Sequence, residues 1–367
     1  MDKEINGSLL IIGNGFDLNC GLESSFRHFL KKIDTKSNIW YLILSFAFSE
    51  SDKPYVSPVF ENIKKGNVLW MDVEDYIKRI LYMHRNHNNE TSRLNQSFGL
   101  KDYLSIIYQC YRQRFNSMYA YSNIQICSLK EFFRRRFGET NENFDVVAFL
   151  YGELIGFEES FKKYLLTIIN NKQYKKNSAT ILADLIDKEE AYDILTFNYT
   201  NPDYDAVNLF SYGNINHIHG SIDNKIIIGF DSSDIQTFED NRVKMSKSFQ
   251  KLFYKMENRP LPEKEQTLFL KFYGHSLGDQ DYSYFHSIFD YYDIYNNGKI
   301  ALVFYYTPYF ENAEENEKCR NDYINKVYDL LNAYSLKATI GTDKNNVIVS
   351  RLLLENRLFI REIKKLS

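Results

Sequence analysis

The feature that most constrains the fold is a short apolar run, residues 9–12, that ends in Gly13-Asn14-Gly15 and leads into an amphipathic segment. Such a run is typical of a parallel β-strand that feeds a phosphate-binding turn. Glycine adopts positive φ readily and lets a ligand approach the backbone, and free N–H groups at a helix start attract an anion. The pattern therefore predicts nucleotide binding. The competing interpretation is a tight strand-to-helix turn without a ligand. Two glycines alone do not distinguish a nucleotide-binding turn from such a turn.

Composition narrows the class of protein. The chain has 367 residues, enough for one large domain or two ordinary ones, and its 45 basic and 48 acidic residues nearly cancel. This balance gives no sign of a nucleic-acid or membrane-surface protein. Cys20, Cys110, Cys127 and Cys319 are far apart, which argues against a zinc site and a disulfide framework. With no signal peptide or membrane span recognisable at the amino terminus, we expect a cytoplasmic protein.

Strand patterns lie near the two ends of the chain. Apart from residues 9–12, the strand candidates are residues 193–197, 215–218, 225–229, 267–273, 299–305 and 336–340. Helical patterns fill most of the gaps between them, at residues 246–256, 282–292 and 315–333. This alternation predicts an α/β fold with a mostly parallel, Rossmann-like sheet that the first strand joins.

The middle of the chain has helical periodicity. An early helix is predicted to begin near Leu22, and a longer amphipathic stretch covers residues 146–169. The polar residues 170–177 are predicted to form an exposed loop. We therefore predict a discontinuous nucleotide-binding core of residues 1–36 and 190–367, and a helical insertion of residues 37–189.

Polar clusters follow four of the predicted strands, where the carboxyl ends of a parallel sheet meet. The clusters are Gly13-Asn14-Gly15-Phe16-Asp17, Thr196-Phe197-Asn198-Tyr199-Thr200, His219-Gly220-Ser221 and Gly274-His275-Ser276-Leu277-Gly278-Asp279. Each also has a structural interpretation: Asn198 and Thr200 could cap a helix, and His217 and His219 could be core histidines. Because those interpretations need four coincidences at one edge, the set predicts one shared site.

Together these motifs resemble the AbiH family of abortive-infection proteins in bacterial antiphage defence. The resemblance includes Gly21-Leu22, Ile218-His219-Gly220 and the continuation to Gln280-Asp281, and it runs from residue 9 to beyond residue 281. The segment with Trp70, Asp72 and Glu74 resembles a further family element. The resemblance implies a defence function and a phage-derived trigger, and it leaves a homo-oligomer open.

A remoter resemblance is to the sirtuin-like NAD-binding fold. Sirtuins place Gly-Ala-Gly before Gly-Ile-Pro-x-Phe-Arg, and this chain has Gly13-Asn14-Gly15 before Gly21-Leu22 and Phe26-Arg27. Their Gln-Asn-Ile-Asp, His-Gly and Gly-Thr-Ser-Leu motifs fall on residues 197–200, 219–220 and 274–277. The sirtuin zinc cysteines are missing and Tyr199-Thr200 replaces an acidic position, which argues against a protein deacylase. The resemblance implies that NAD is a substrate, hydrolysed at its nicotinamide–ribose bond without a further cofactor.

This resemblance assigns roles. Asn198 would position a ribose hydroxyl or the attacking water, and His219 would act as the general base. Arg27 would hold a phosphate or polarise the leaving group, and Asp17 would orient the loop or the ribose. The other predicted binding residues, of which Ser276, Asp279 and Asp281 would hold the adenosine half, are Gly13, Asn14, Gly15, Phe16, Tyr199, Gly220, Gly274, His275, Ser276, Asp279 and Asp281. His275 could contact the ligand or could instead have only a structural role in its loop.

Two other functions stay open. A metal-dependent phosphoesterase or nuclease could use Asn14, Asp17, His219, His275 and Asp279, which are suitable ligand types. A module without catalysis could bind a nucleotide as a signal while its helical region binds a phage or host partner. No Asp-x-His element opens the chain, which disfavours the metal enzyme.

Overall fold

The computed structural model describes residues 7–32, 38–41, 44, 73–74, 77, 146–186, 191–202, 212–231, 241–256, 259–310, 312–338 and 348–366. It contains a sheet of six strands: β1 (Gly7–Ile12), β2 (Ala191–Thr196), β3 (Tyr212–His217), β4 (Thr267–Tyr273), β5 (Ala301–Tyr306) and β6 (Leu358–Glu362). Each pair of neighbouring strands is parallel. The prediction of an α/β fold with a mostly parallel sheet is confirmed.

The strand order is β3-β2-β1-β4-β5-β6. This is the order of a doubly wound Rossmann sheet, in which the chain moves outward from β1 in one direction and then returns to continue in the other. The order reverses between β1 and β4. Open sheets of this kind bind ligands beyond the carboxyl ends of their strands at that reversal.

The structure gives the bounds of eight helices in the described residues. They are α1 (Asn14–Asn19), α2 (Phe26–Lys32), α3 (Val146–Ile168), α4 (Lys172–Leu185), α5 (Lys247–Phe253), α6 (Tyr282–Tyr292), α7 (Ala313–Ala338) and α8 (Ile348–Leu354). A 3₁₀ turn, Asp279–Asp281, immediately precedes α6. The predicted helices at residues 146–169, 246–256, 282–292 and 315–333 correspond to α3, α5, α6 and α7.

The first strand is buried on both faces. Leu9 and Ile11 belong to an apolar cluster that also contains residues of α6, α7 and α8. Leu10 and Ile12 point to the other face and join a cluster with residues of α1 and α4. A strand covered on both faces needs a continuous apolar run, which is the pattern that marks residues 9–12 in the sequence.

Several local predictions are wrong. Residues 225–229 form no regular strand, because the side chains of Glu158 and Gln250 bind the Ile228 N–H and C=O groups that a strand partner would bind. Residues 336–338 are the end of α7, in which Leu336 is exposed, in place of a strand, and residues 339–340 lie outside the described part. The last strand, β6, is absent from the predicted set, because its apolar run is only Leu358 to Ile360 and is followed by charged, exposed residues.

The start of the chain and residues 170–177 also differ from prediction. Helix α1 begins at Asn14 directly after β1, and a second helix begins at Phe26, in place of the single helix predicted from Leu22. Residues 172–177 are helical in α4, in place of the predicted loop. Asn171 caps this helix through its side chain, and Tyr174 is buried, so a single buried side chain in a polar run anchors the first turn.

The chain folds into two compact units. The first, which contains the sheet, comprises Met1–Ser24, Leu165–Ile226 and Met256–Ser367. The second comprises Ser25–Tyr164 and Ile227–Lys255. In the second unit α2 packs on α3, with ring centroids of Phe26 and Phe161 4.4 Å apart.

The second unit also holds a buried ion pair. Lys247 Nζ lies 2.6 Å from Glu74 Oε2, and both side chains are buried. Trp70, Asp72 and most of the helical patterns expected before residue 146 lie outside the described residues. The predicted boundaries of a core at residues 1–36 and 190–367 and an insertion at residues 37–189 stay a prediction.

Candidate functional site

The carboxyl ends of β1, β2, β3 and β4 are joined by backbone hydrogen bonds. Phe197 N donates to Ile12 O at 2.9 Å, Gly13 N to Tyr273 O at 3.0 Å, and Ile218 N to Thr196 O at 2.8 Å. The four polar clusters recognised in the sequence therefore follow one another along a single edge of the sheet, all within the first unit.

Gly13 and Gly15 are required by contact between two loops. A Cβ on Gly13 would lie 2.7 Å from His275 Cα, and one on Gly15 would lie 2.7 Å from Gly274 O. The expectation of positive φ is wrong for both: Gly13 has φ −124°, and Gly15 lies in α1. Positive φ occurs instead at Gly274, where φ is +70° and a Cβ would lie 2.3 Å from Phe16 N. The close approach of the loops explains these glycines without any ligand.

The amides of the turn are also bonded within the protein. Gly13 N, Gly15 N and Phe16 N donate to backbone carbonyls at 3.0, 2.7 and 2.9 Å. These three groups are therefore occupied in this structure, and they give no support to a phosphate seated over the turn.

Asp17 is a buried carboxyl group behind the edge, 1% exposed. Its Oδ2 accepts a hydrogen bond from Thr200 Oγ1 at 2.5 Å and its Oδ1 accepts one from Tyr174 Oη at 3.0 Å. Burial raises the pKa of Asp17 from 3.8 to about 6, although the hydrogen bonds act in the opposite direction. Sequence reasoning missed Tyr174, because it lies in the segment predicted as a loop.

Asn198 presents a buried acceptor. Its Nδ2 donates to Gly13 O at 3.1 Å, which ties the loop after β2 to the end of β1. Asn198 is 4% exposed. Its Oδ1 has no hydrogen-bond partner among the described residues. A buried oxygen without a donor costs about 1 to 3 kcal/mol. A ligand hydroxyl, an N–H group or a water molecule can supply the donor.

His219 and His275 face the same carboxylate. Asp281 Oδ1 lies 3.5 Å from His219 Nε2, and Asp281 Oδ2 lies 3.2 Å from His275 Nε2. The ring of Phe197 contacts both imidazoles, with centroid distances of 5.4 and 4.5 Å. All three polar side chains are buried. Asp281, which the sequence resemblance assigned to the adenosine half, thus lies between two histidines that follow different strands.

His217 is hydrogen-bonded to the loop after β2. Its Nδ1 lies 2.9 Å from Asn198 O and its Nε2 lies 2.7 Å from Asn201 Oδ1. Burial lowers the pKa of His217 below its usual value. These bonds agree with the interpretation of His217 as a hydrogen-bonded structural histidine. The helix that residues 198–202 would cap falls outside the described residues, so the capping interpretation stays a prediction.

The other predicted residues at the edge have bonds within the fold. Asn14 Oδ1 accepts from Ser24 Oγ at 2.6 Å, and Phe16 packs edge-on against Tyr273. Tyr199 is buried, and its carbonyl accepts from Ile222 N at 2.8 Å.

The remaining predicted residues differ in position. Gly220 has φ +80° in the turn after β3, where a Cβ would lie 1.9 Å from Lys225 O. Ser276 is half-buried and Asp279 is exposed, both between β4 and α6. Arg27 is half-buried in α2 and belongs to the second unit, unlike the other predicted residues.

Within the described ranges, no group of three or more His, Cys, Asp or Glu side chains is arranged to hold a metal ion. The two Nε2 atoms of His219 and His275 face different oxygens of Asp281. In the part of the chain that the structure describes, every helix is too short or too polar to cross a lipid bilayer.

The chain is similar to a known protein family over most of its length. A family profile described as bacteriophage abortive infection AbiH matches residues 9–306. This range contains most of β1, all of β2 to β5 and all four polar clusters. No curated protein and no solved structure matches the chain.

Proposed function

Since this chain belongs to the AbiH family of bacteriophage abortive infection proteins, we propose that it defends the cell by hydrolysing NAD, or a close relative, at the nicotinamide–ribose bond. The site would lie at the carboxyl edge of the sheet, beside the reversal between β1 and β4. The glycine turn does not carry this proposal, because the amides of Gly13, Gly15 and Phe16 are occupied. The proposal depends on the strand order together with the buried Oδ1 of Asn198 at that edge, which lacks a donor among the described residues.

The reaction needs positioning more than nucleophilic strength. The bond from ribose C1′ to the nicotinamide nitrogen breaks, and nicotinamide leaves as a neutral molecule with the bonding electron pair. Water forms the new C1′–O bond and gives its proton to a base. Because positive charge develops on the ribose, a weak nucleophile suffices once it is held in place. The products are ADP-ribose, nicotinamide and a proton.

Asn198 and His219 would divide this work. Asn198 Oδ1 would accept a hydrogen bond from a ribose hydroxyl or from the attacking water. His219 would accept the water proton, since imidazole titrates near neutral pH. Asp281 faces Nε2 of the ring, so Nδ1 is the nitrogen that would take the proton.

The burial of His219 agrees with a resting protein that needs activation. The residue is 1% exposed and contacts the rings of Phe197 and Tyr284. Water and ribose can reach it only if these neighbours move. We therefore expect slow turnover in the resting protein and faster turnover in extracts of phage-infected cells.

The test is chromatography of NAD incubated with the wild-type protein, Asn198→Ala, His219→Ala and Asp184→Asn, in extracts of infected and uninfected cells. Asp184 is exposed on α4 and serves as the control. We expect trigger-dependent nicotinamide release that falls about 10²- to 10⁴-fold in His219→Ala, as for loss of a positioned base. Asn198→Ala should also suppress it.

Three outcomes would contradict the proposal. Equal loss of NAD in all variants would exclude both residues from the reaction. Release abolished by EDTA would favour the metal-dependent alternative. Binding of NAD without any product, even in infected extracts, would favour the sensing module.

A further inference from the structure

Two imidazoles share one buried carboxylate at the ends of β3 and β4. We propose that His275 and Asp281 are positioning residues for His219: His275 holds the carboxylate of Asp281, and this carboxylate orients the His219 ring and stabilises its protonated form. The catalytic meaning of this relay rests on the proposed function. Its geometry can be tested without turnover.

A backbone hydrogen bond fixes the tautomer of the neutral His275 ring. Leu277 N donates to His275 Nδ1 at 2.9 Å, so this nitrogen carries the lone pair, and the neutral ring carries its proton on Nε2. Nε2 lies 3.2 Å from Asp281 Oδ2, within reach for donation. Leu277 is buried with φ +53°, a left-handed conformation that is rare for leucine. The loop thus adopts an unfavourable conformation at the residue that sets the tautomer of His275.

The second oxygen of Asp281 faces His219. The distance from Oδ1 to His219 Nε2 is 3.5 Å, longer than an ordinary hydrogen bond and short enough for an ion pair. Such contacts often shorten when substrate binds or when charge develops. Phe197 and Tyr284 contact the faces or edges of the same ring. Of these three neighbours, only Asp281 can carry a charge at neutral pH.

This arrangement suits a base that becomes positively charged during the reaction. When His219 takes the proton from water, the imidazolium gains a carboxylate partner in a buried environment where charges interact strongly. His275 keeps that carboxylate in place by donating to its other oxygen. Loss of the Asp281 charge should therefore weaken His219 as a base.

The first test measures the pKa of His219 by NMR in the full chain with isotope-labelled histidine side chains. The chain has seven histidines, and the signal that disappears in His219→Gln identifies the ring. An opposite charge within about 4 to 6 Å raises the pKa of a base by about 1 to 3 pH units. We expect a fall of this size in Asp281→Asn and no change in Asp184→Asn. An unchanged pKa in Asp281→Asn would overturn the relay.

The second test compares two substitutions of His275. Glutamine can place an N–H donor near the position of Nε2, whereas asparagine reaches only the position of Nδ1. The pKa of His219 should therefore stay close to its wild-type value in His275→Gln and fall in His275→Asn. Both variants lose the same ring contacts with Phe197 and Phe285, so packing alone predicts equal effects. Equal pKa values would overturn the role of His275, and this comparison stands if Asp281→Asn fails to fold.

Turnover separates the relay from the proposed function. If the chain releases nicotinamide, Asp281→Asn should lower kcat with little change in KM, and the acid limb of its pH profile should move down by the shift seen by NMR. If wild-type protein releases no nicotinamide but the NMR shift is present, the relay stands and the hydrolysis proposal fails. A normal pH profile in Asp281→Asn would contradict the relay.

Discussion

The two edges of the sheet use buried polar groups differently. At the amino edge Arg357, directly before β6, is 4% exposed, and its Nη1 donates to the carbonyls of Ile294, Asn297 and Ile300 at 2.9, 3.1 and 3.0 Å. At the carboxyl edge Asn198 has an oxygen without a partner among the described residues. Arg357 is thus bonded within the fold, whereas Asn198 Oδ1 keeps the capacity to accept a hydrogen bond from a ligand.

Their ionic groups show the same contrast. The guanidinium of Arg357 also binds the carboxylate of Glu355, so its charge has a partner as well as backbone acceptors. Asp17, behind the carboxyl edge, accepts hydrogen bonds from the neutral hydroxyls of Tyr174 and Thr200, and burial raises its pKa to about 6. A fold tolerates such a cost where the group serves a site. The amino edge therefore supports stability, and the carboxyl edge is where function is expected.

The largest expected effect is a loss of stability when the hydrogen bonds of Arg357 at the amino edge are removed. Arg357→Met should lower the free energy of unfolding by about 3 to 5 kcal/mol, because two buried carbonyls and one half-buried carbonyl lose their donor. Urea unfolding measures this loss. Arg357→Lys, which keeps a charge but not the planar fork, should lose less. A loss below about 1 kcal/mol in Arg357→Met would mean that these bonds are not what stabilises this edge.

The next effect is a change of stability with pH that is caused by Asp17 at the carboxyl edge. The pKa of Asp17 is about 6 in the fold against 3.8 in its ordinary state, so its stabilising contribution is complete below about pH 4 and is lost as the pH rises through 6. Asn at this position cannot ionise. Between pH 4 and pH 7 the stability of wild type should therefore fall by about 2 kcal/mol relative to Asp17→Asn.

Urea unfolding of both proteins across this pH range measures the effect. Asp184→Asn, which removes an exposed carboxyl group, should show no such divergence from wild type. A constant difference between wild type and Asp17→Asn from pH 4 to pH 7 would show that Asp17 titrates normally.

Much of the fold could be predicted because central parallel strands leave a plain signal. Residues 9–12 are a continuous apolar run and residues 267–273 are mostly apolar, and both strands lie in the middle of the sheet. The edge strand β6 is half-exposed and lacks that signal. Residues 225–229 carry the signal of a strand, but side chains bind the backbone at Ile228. A sequence pattern records burial, and it does not record which groups pair with the backbone.

The sequence predicted that the candidate residues lie along one end of the sheet, and it did not predict their contacts. Asn198, His219 and His275 could be placed on one edge because parallel strands share the direction of their carboxyl ends. The bond from Tyr174 to Asp17 joins residues 157 positions apart and depends on how α4 packs. The position of Asp281 between two imidazoles depends on the path of one loop. Gly13 and Gly15 make room for the loop at Gly274, a contact that the sequence pattern did not indicate.

The most direct test of the central claim is calorimetric titration with an NAD analogue whose nicotinamide–ribose bond cannot be hydrolysed. Wild type and Arg357→Lys should bind it equally, and Asn198→Ala should bind it about tenfold more weakly through loss of one hydrogen bond. Absence of binding by wild type, or equal dissociation constants for wild type and Asn198→Ala, would contradict a dinucleotide site at the carboxyl edge.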